Sequence, residues 1–421
     1  MLQTVNLRPG IRLYGFRDER FKQGALSIQF VRPMKKEEAA MNALIPAVLL
    51  RGTEKYPDLR AITLHLDDLY GAAVSTLVRR VGDYQTTGLY CSFMEDRYAL
   101  DADEILAPMV GFLGDLLLNP VTENGGFCRS FVEGEKKNLI ATIQAEKNDK
   151  RTYAANQLLK IMCREDSFGL PRLGEAEDVR EIRPETLYTH YRKVLEESPV
   201  QVFYVGSMEL PAVASLLTKE LEHLPRNVGD LPPQAALVCR EDSHVTQRMD
   251  VSQAKLCMGF TTPITHWDSR FCAMQVLNAL FGGGMTSKLF LNVRERLSLC
   301  YSVGSGYYGT KGLLTVSAGI DESKEAVVRA EILAQLEACC QGNITREELA
   351  AAKEAILSAL DTAHDSPGAI EGYYSRAALS GQTMDLRRYA RDIRAVTAED
   401  VAQAATTLRY RASFFLKGEN P

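Results

Sequence analysis

Residues Lys35 to Thr53, KKEEAAMNALIPAVLLRGT, decide the fold. Met41, Leu44, Ile45, Val48 and Leu49 recur at i, i+3, i+4, i+7 and i+8, the spacing of one helical face. The spacing predicts an amphipathic core helix. Glu37 and Glu38 lie in its first turn, where carboxylates complement the helix dipole, and Gly52 marks its end. The uncharged run from Ala39 to Leu50 falls short of the roughly 20 apolar residues that a bilayer span needs. This helix therefore belongs to the core of a water-soluble domain, and no membrane partner is expected.

The rest of the chain agrees with a globular reading. At 421 residues and 46% hydrophobic, it has room for two substantial domains with their own cores, which excludes a disordered chain. A net charge of -5 argues against a nucleic-acid surface, which carries a basic excess. Lys35-Lys36 and Arg79-Arg80 read as solvated faces. Nine Cys without a C-x-x-C pair form neither a disulfide framework nor a zinc-finger pattern. Cys339-Cys340 read as unrelated helix positions. The opening residues, MLQTVNLRPGIRLYGF, lack the apolar core of a secretory signal, so the expectation is a reduced, cytoplasmic protein. The six His, at positions 65, 190, 223, 244, 266 and 364, include no i, i+4 pair. Each alone reads as a surface or core residue rather than a ligand.

Outward from the first helix, Ile11 to Tyr14 and Ala25 to Val31 read as strands, and Asp58 to Tyr70 as a helix. Val74 to Val81 and Tyr84 to Phe93 form a strand pair turning through Gly82-Asp83. Helices follow at Ile105 to Leu118 and in the run from Asn124 to about Cys163. Pro184-Glu185 starts another helix, and Val200 to Val205 is an apolar strand. The polar, Gly/Pro-rich Asn227 to Ala235 is the linker candidate. From about His244 the order repeats: strand Ala254 to Thr261, helix Ser269 to Phe281, a glycine-rich break, a helix, and strands Tyr301 to Tyr308 and Leu313 to Ile320. Helices Lys324 to Gln341 and Thr345 to His364 precede a last strand at Ala412 to Leu416. The expected fold class is α+β, with two homologous domains at 1–222 and 244–421, joined by a linker at 223–243 and each a mostly antiparallel sheet packed with helices.

The first helix, followed by Arg51-Gly52-Thr53 and by LHLDDLYGAAVSTLVRRVGDYQTTGLYCSF, resembles the metal-binding helix of the insulinase/pitrilysin-like zinc peptidases, in their processing-peptidase-like branch. FGLPRLGEAEDVREIRPETLYTHYRKVLEESPVQVFYVGSM resembles the segment that closes the family's first domain. Active members carry H-x-x-E-H a few residues before Gly-Thr. Two His at i and i+4 bind one zinc ion, and the Glu can take a proton from its water. Counted back from Gly52-Thr53, the His positions fall on Ala43 and Ala47 and the Glu position on Pro46, none of which can do that chemistry. The third ligand position, in FVEGEKKNLIATIQAEKND with Glu135 as the earlier acid, falls on Thr142. Glu146, one turn on, is a single carboxylate and makes no site. The resemblance thus implies a chain without zinc or any other cofactor of its own.

Phe281 to Val303, FGGGMTSKLFLNVRERLSLCYSV, resembles the family's second-domain block, in which an Arg and, seven residues on, a Tyr hold the substrate backbone near the zinc. Here these are Arg294 and Tyr301, with Cys300 where many members have Gly. Guanidinium and phenol can both donate to a peptide carbonyl or an oxyanion. Arg294 taken alone reads as an ion-pair partner of Glu295. Gly282 to Lys288 lacks the Gly-Lys-Ser/Thr order of a phosphate loop. The resemblance implies the zinc-less subunit of a heterodimeric metallo-endopeptidase, whose homologous partner carries H-x-x-E-H and zinc and whose substrate is a peptide. The alternative is a non-catalytic structural or peptide-binding subunit of a larger assembly.

Overall fold

The computed structural model describes residues 2–237, 239, 242–382 and 385–419; positions 238, 240 and 241 of the anticipated linker and the chain ends of the anticipated domains lie outside them. Two compact units emerge. One comprises Met1–Gln144, Leu170–Pro233 and Ala363–Arg376, and the other Ala145–Gly169, Gln234–Thr362 and Ala377–Pro421.

In the first unit, β1 (Leu2–Arg8), β2 (Ile11–Arg17), β3 (Gln23–Pro33), β4 (Ala73–Val81), β5 (Tyr84–Met94) and β8 (Val200–Gly206) build a sheet in the order β1-β2-β8-β3-β5-β4. Only β2 and β8 run parallel. The two-residue strands β6 (Thr122–Glu123) and β7 (Gly126–Phe127) pair apart from it. Alternation in β3 sends Leu26, Ile28 and Phe30 to the helix-covered face, where they join Leu89, Val202 and the helix Leu106–Leu118 in one apolar cluster. Ser27 and Gln29 point the opposite way, yet both are buried. Residues 363–376 cover them: Ser27 Oγ donates to Glu371 Oε1 at 2.7 Å and Gln29 Nε2 at 2.8 Å. Arg79 of β4 clamps the same carboxylate with two bonds of 2.8 and 2.9 Å, and Glu371 is 1% exposed.

The helix α1 (Lys36–Leu49) continues through Pro46. Proline has no N–H, so the carbonyl of Asn42 loses its helical donor. Thr87 Oγ1 supplies the missing bond at 2.6 Å. At its start, Glu38 pairs with buried Arg32 at 2.8 Å. Burial opposes ionisation there, but the Arg32 hydrogen bonds and charge hold the Glu38 carboxyl below its ordinary value.

In the second unit β9 (Ser243–Arg248), β10 (Ala254–Thr261), β11 (Cys300–Tyr308), β12 (Leu313–Ile320) and β13 (Arg409–Lys417) follow the order β11-β12-β10-β13-β9, with β13 and β9 parallel. Read from β9, this repeats the first sheet from β2 to β4, so the two units share one strand topology. One face packs against Phe271–Gly282 and its neighbours; the other, through Cys257, Phe414 and Leu416, packs against Leu158, Leu159 and Met162 of the helix Lys150–Met162.

Several elements differ from the sequence reading. The run from Asn124 to Cys163 is two helices, Arg129–Glu146 and Lys150–Met162, divided where Asp149 caps the second. The polar strand β9 and the helices Leu210–Glu220, Pro367–Ser380, Leu386–Ala395 and Ala398–Ala405 lie outside the sequence reading, although Leu386, Tyr389, Ala390 and Ile393 recur at i, i+3, i+4 and i+7.

Two substitutions test this account. Thr87→Val leaves the Asn42 carbonyl without a donor and is expected to lower unfolding free energy by about 2 kcal/mol in urea titration. Glu371→Gln leaves the Arg79 charge unneutralised; because Arg79 is 26% exposed, the expected loss is about 3 kcal/mol, partly recovered by adding Arg79→Met.

Candidate functional site

Two places answer to the sequence motifs, and each lies within one unit. On α1, Ala43 and Pro46 are buried in the first unit's core and Ala47 is half-buried. Thr142 sits exposed on the helix Arg129–Glu146, and its hydroxyl donates back to the Asn138 carbonyl at 2.9 Å. Glu135 accepts from Arg51 at 3.3 Å and from Asn138 at 3.1 Å. Two methyl groups, a pyrrolidine ring and an internally bonded hydroxyl do not make a zinc donor set. Among the described residues, no three His, Cys, Asp or Glu side chains cluster closely enough to hold a metal ion.

A buried polar network flanks the same helix, and sequence reasoning missed it. Asn42 Nδ2 donates to Gln85 Oε1 at 2.9 Å, and Asn42 Oδ1 faces His190 Nε2 at 2.8 Å. Gln85 Nε2 completes the set on the Ala39 and Arg172 carbonyls, at 3.0 and 2.7 Å. Since Asn42 spends its amide on Gln85, its oxygen needs a donor, which assigns the His190 proton to Nε2. Burial pushes His190 down to about 4, outweighing the nearby Glu38. The imidazole is therefore neutral, a core group that anchors α1. The only sequence signal for it was an Asn inside an apolar helix.

The second place is the Arg/Tyr block. The Phe271–Gly282 helix ends where a Cβ on Gly282 would come within 2.6 Å of Ser305 Oγ, so only glycine permits this approach to β11. Lys288 then pairs with Glu348 at 2.8 Å and is not free for a phosphate. From Leu289 to Arg296 the chain takes a wider π-type winding, closed by Leu297 N–H to the Asn292 carbonyl at 3.2 Å. Ser298 follows in the left-handed region, at φ 49°. The β11–β12 register then skips between Cys300 and Ser302, leaving Tyr301 as the extra residue of a β-bulge. Tyr301 is 68% exposed. The Arg294 side chain is 41% exposed; its guanidinium lies 4.7 Å from the Phe290 ring centroid and 3.7 Å from Glu295. That separation makes Glu295 a loose partner, worth little in water. Cys300 turns inward, and burial pushes its thiol up to about 11. Met285, Leu291 and Leu297 are exposed in the same block.

A repeated α+β sheet topology with an Arg/Tyr block, and Ala, Pro, Ala and Thr at the metal positions, fits a metallopeptidase-like chain. Comparison with known proteins agrees. A family model described as peptidase M16 inactive domain matches residues 181–356. A Bacillus subtilis protein named probable inactive metalloprotease YmfF is 31% identical over 413 residues, covering 97% of this chain and 96% of the relative. The chain belongs to the peptidase M16 family. A conserved protein from Enterococcus faecalis V583 superposes with a TM-score of 0.93 at 28% identity, over 100% of this chain and 99% of that one. A peptidase M16 inactive domain from Pseudomonas fluorescens shares the fold at a TM-score of 0.80 and 16% identity, covering 100% of both chains.

The buried histidine gives a pH test. Its folded pKa of about 4 lies below the ordinary 6.5, so the unfolded chain takes the proton first as pH falls. The stability it contributes is whole above 6.5 and is lost between 6.5 and 4. From pH 7 to 5 that loss is about 2 kcal/mol. His190→Gln, which keeps an amide within reach of Asn42 without titrating, is expected to remove that part of the pH dependence in denaturation curves.

Proposed function

We propose that this chain is the zinc-less subunit of a heterodimeric zinc endopeptidase, lending Arg294 and Tyr301 to a homologous partner that carries H-x-x-E-H. The observation that supports it best is the asymmetry between the two places. At the metal positions three side chains have no donor atom and the fourth is a hydroxyl bonded within its own helix, whereas the Arg/Tyr block presents two strong hydrogen-bond donors to solvent on a bulge and a π-type turn. Zinc and the attacking water belong to the partner. Arg294 and Tyr301 then act by position: a guanidinium and a phenol hydrogen-bond the peptide carbonyl, and they bind more strongly as negative charge develops on its oxygen. The proposal includes the domain division at 1–222 and 244–421 and a cytoplasmic setting. Among the described residues no helix is long and apolar enough to cross a membrane.

The test is to assay this chain, an H-x-x-E-H homologue and their mixture on quenched fluorescent peptides, with the zinc content of each measured. Activity is expected only in the mixture, with zinc following the homologue. Arg294→Ala and Tyr301→Phe are each expected to lower kcat/KM of the pair roughly 100-fold while the heterodimer still elutes intact. Unchanged activity in both variants overturns the proposal in favour of a structural subunit.

A further inference from the structure

At the β1–β2 turn, where Gly10 has φ 70°, the first unit carries a half-open cavity of about 640 Å³ lined by Asn6, Arg8, Arg12, Tyr14, Pro199 and Gln201, among others. Its volume is that of a small-ligand site. Arg226 adjoins it, donating to the carbonyls of Pro9, Gly10, Leu195 and Ser198. Arg8 donates to the carbonyls of Leu221 and Leu224, and Arg12 Nε to Asn6 Oδ1.

Among the described residues, none of these three arginines has a carboxylate at ion-pair distance. Arg32 and Arg79, by contrast, are each clamped by a glutamate. Carbonyl partners satisfy N–H groups but leave the charge uncompensated. Burial, and then the charge of Arg8, push Arg226 down to about 10, the response of a cation without a counter-ion. Gln201 supplies a second, independent observation. It is 9% exposed, its Oε1 is buried, and its amide makes no hydrogen bond among the described residues. The buried Oε1 is an acceptor and calls for a donor such as water, whereas Nε2 is the donor that this amide leaves available to an acceptor in the cavity.

The bland reading is that these arginines only tie the turn to the helix Leu210–Glu220 and the segment after it. It accounts for Arg226, which spends most of its N–H groups on carbonyls. It leaves aside Arg12, which is exposed and whose terminal nitrogens make no hydrogen bond among the described residues, and the Nε2 of Gln201.

We propose that this cavity binds an oxyanion, the carboxylate or phosphate group of a small ligand or of a peptide terminus. Arg12 is its mobile donor, the Gln201 Nε2 a fixed amide donor, and Arg8 and Arg226 the source of the field. A guanidinium presents paired N–H groups that match the two oxygens of either anion.

Isothermal titration of the full chain with inorganic phosphate, and with one short peptide in free-acid and C-terminally amidated forms, tests the proposal. Saturable binding of phosphate or of the free acid is expected, weakening as salt rises. Whichever of the two binds identifies the source of the oxyanion. Arg12→Gln and Gln201→Leu should each weaken that binding about tenfold with the melting temperature in buffer unchanged, whereas Arg97→Gln, in the turn Asp96–Tyr98 outside the cavity lining, should leave it intact. Absence of saturable binding, equal binding of the amidated peptide, or full affinity in both variants overturns the proposal. These variants lie apart from Arg294 and Tyr301, so the outcome is independent of the peptidase reading.

Discussion

The carboxylate of Glu371, buried against β3 and β4, is the interaction on which the first unit depends. A sheet has two faces, and both must be covered for its central strands to be buried. Here the helix side is closed by apolar packing, but the opposite side offers Ser27, Gln29 and Arg79. A buried charge is costly unless it is paired and hydrogen-bonded, and Glu371 meets both conditions. The second unit has the same strand order but covers Phe414 and Leu416 of its far face with Leu158 and Met162. One topology thus has two solutions. The polar one is the more specific, because a misplaced cover would leave Arg79 and Glu371 each without a partner.

The same economy of partners governs α1. Pro46 would disrupt a helix whose Asn42 carbonyl had no other donor, and Thr87 on the neighbouring strand supplies one. The amide of Asn42 is then spoken for by Gln85 and its oxygen by His190. Helix, strands and the helix Pro184–Glu197 are locked in register by hydrogen bonds in the first unit, in the segment where the family resemblance places a metal helix. A helix held in this way needs no ion to fix it.

Much of this was legible in the sequence, and the reasons are local. α1 and strands β3 to β5 announce themselves by period and by turns at Gly82 and Gly52. The resemblance placed Ala43, Pro46, Ala47, Thr142, Arg294 and Tyr301 by counting from short motifs. Glu371 was not legible, because a glutamate between Gly368 and Gly372 looks like a surface residue until a sheet 344 positions away supplies Ser27. Nor was the arginine cluster, since Arg8 and Arg226 meet only when β1 and the segment after Leu210–Glu220 are brought together. The seven-residue interval between Arg294 and Tyr301 gave the residues but not the backbone. An ordinary α-helix running into a regular strand has the same count.

That backbone detail bears on how the pair is read. In a regular antiparallel strand successive side chains alternate in facing, so Tyr301 beside buried Cys300 would already point outward. The bulge adds more than direction. It leaves Tyr301 without a cross-strand partner and bends β11 where the strand leaves the π-type turn, so phenol and guanidinium both project from a short segment tied down at Val293, Asn292 and Arg294. Wide turns, a non-glycine residue at φ 49° and a bulge each give up some backbone stability. A chain needing only a scaffold has the cheaper α-helix and regular ladder available. Three departures from regular geometry between Leu289 and Ser302 leave two donors facing solvent, more backbone irregularity than a segment that only fills space requires.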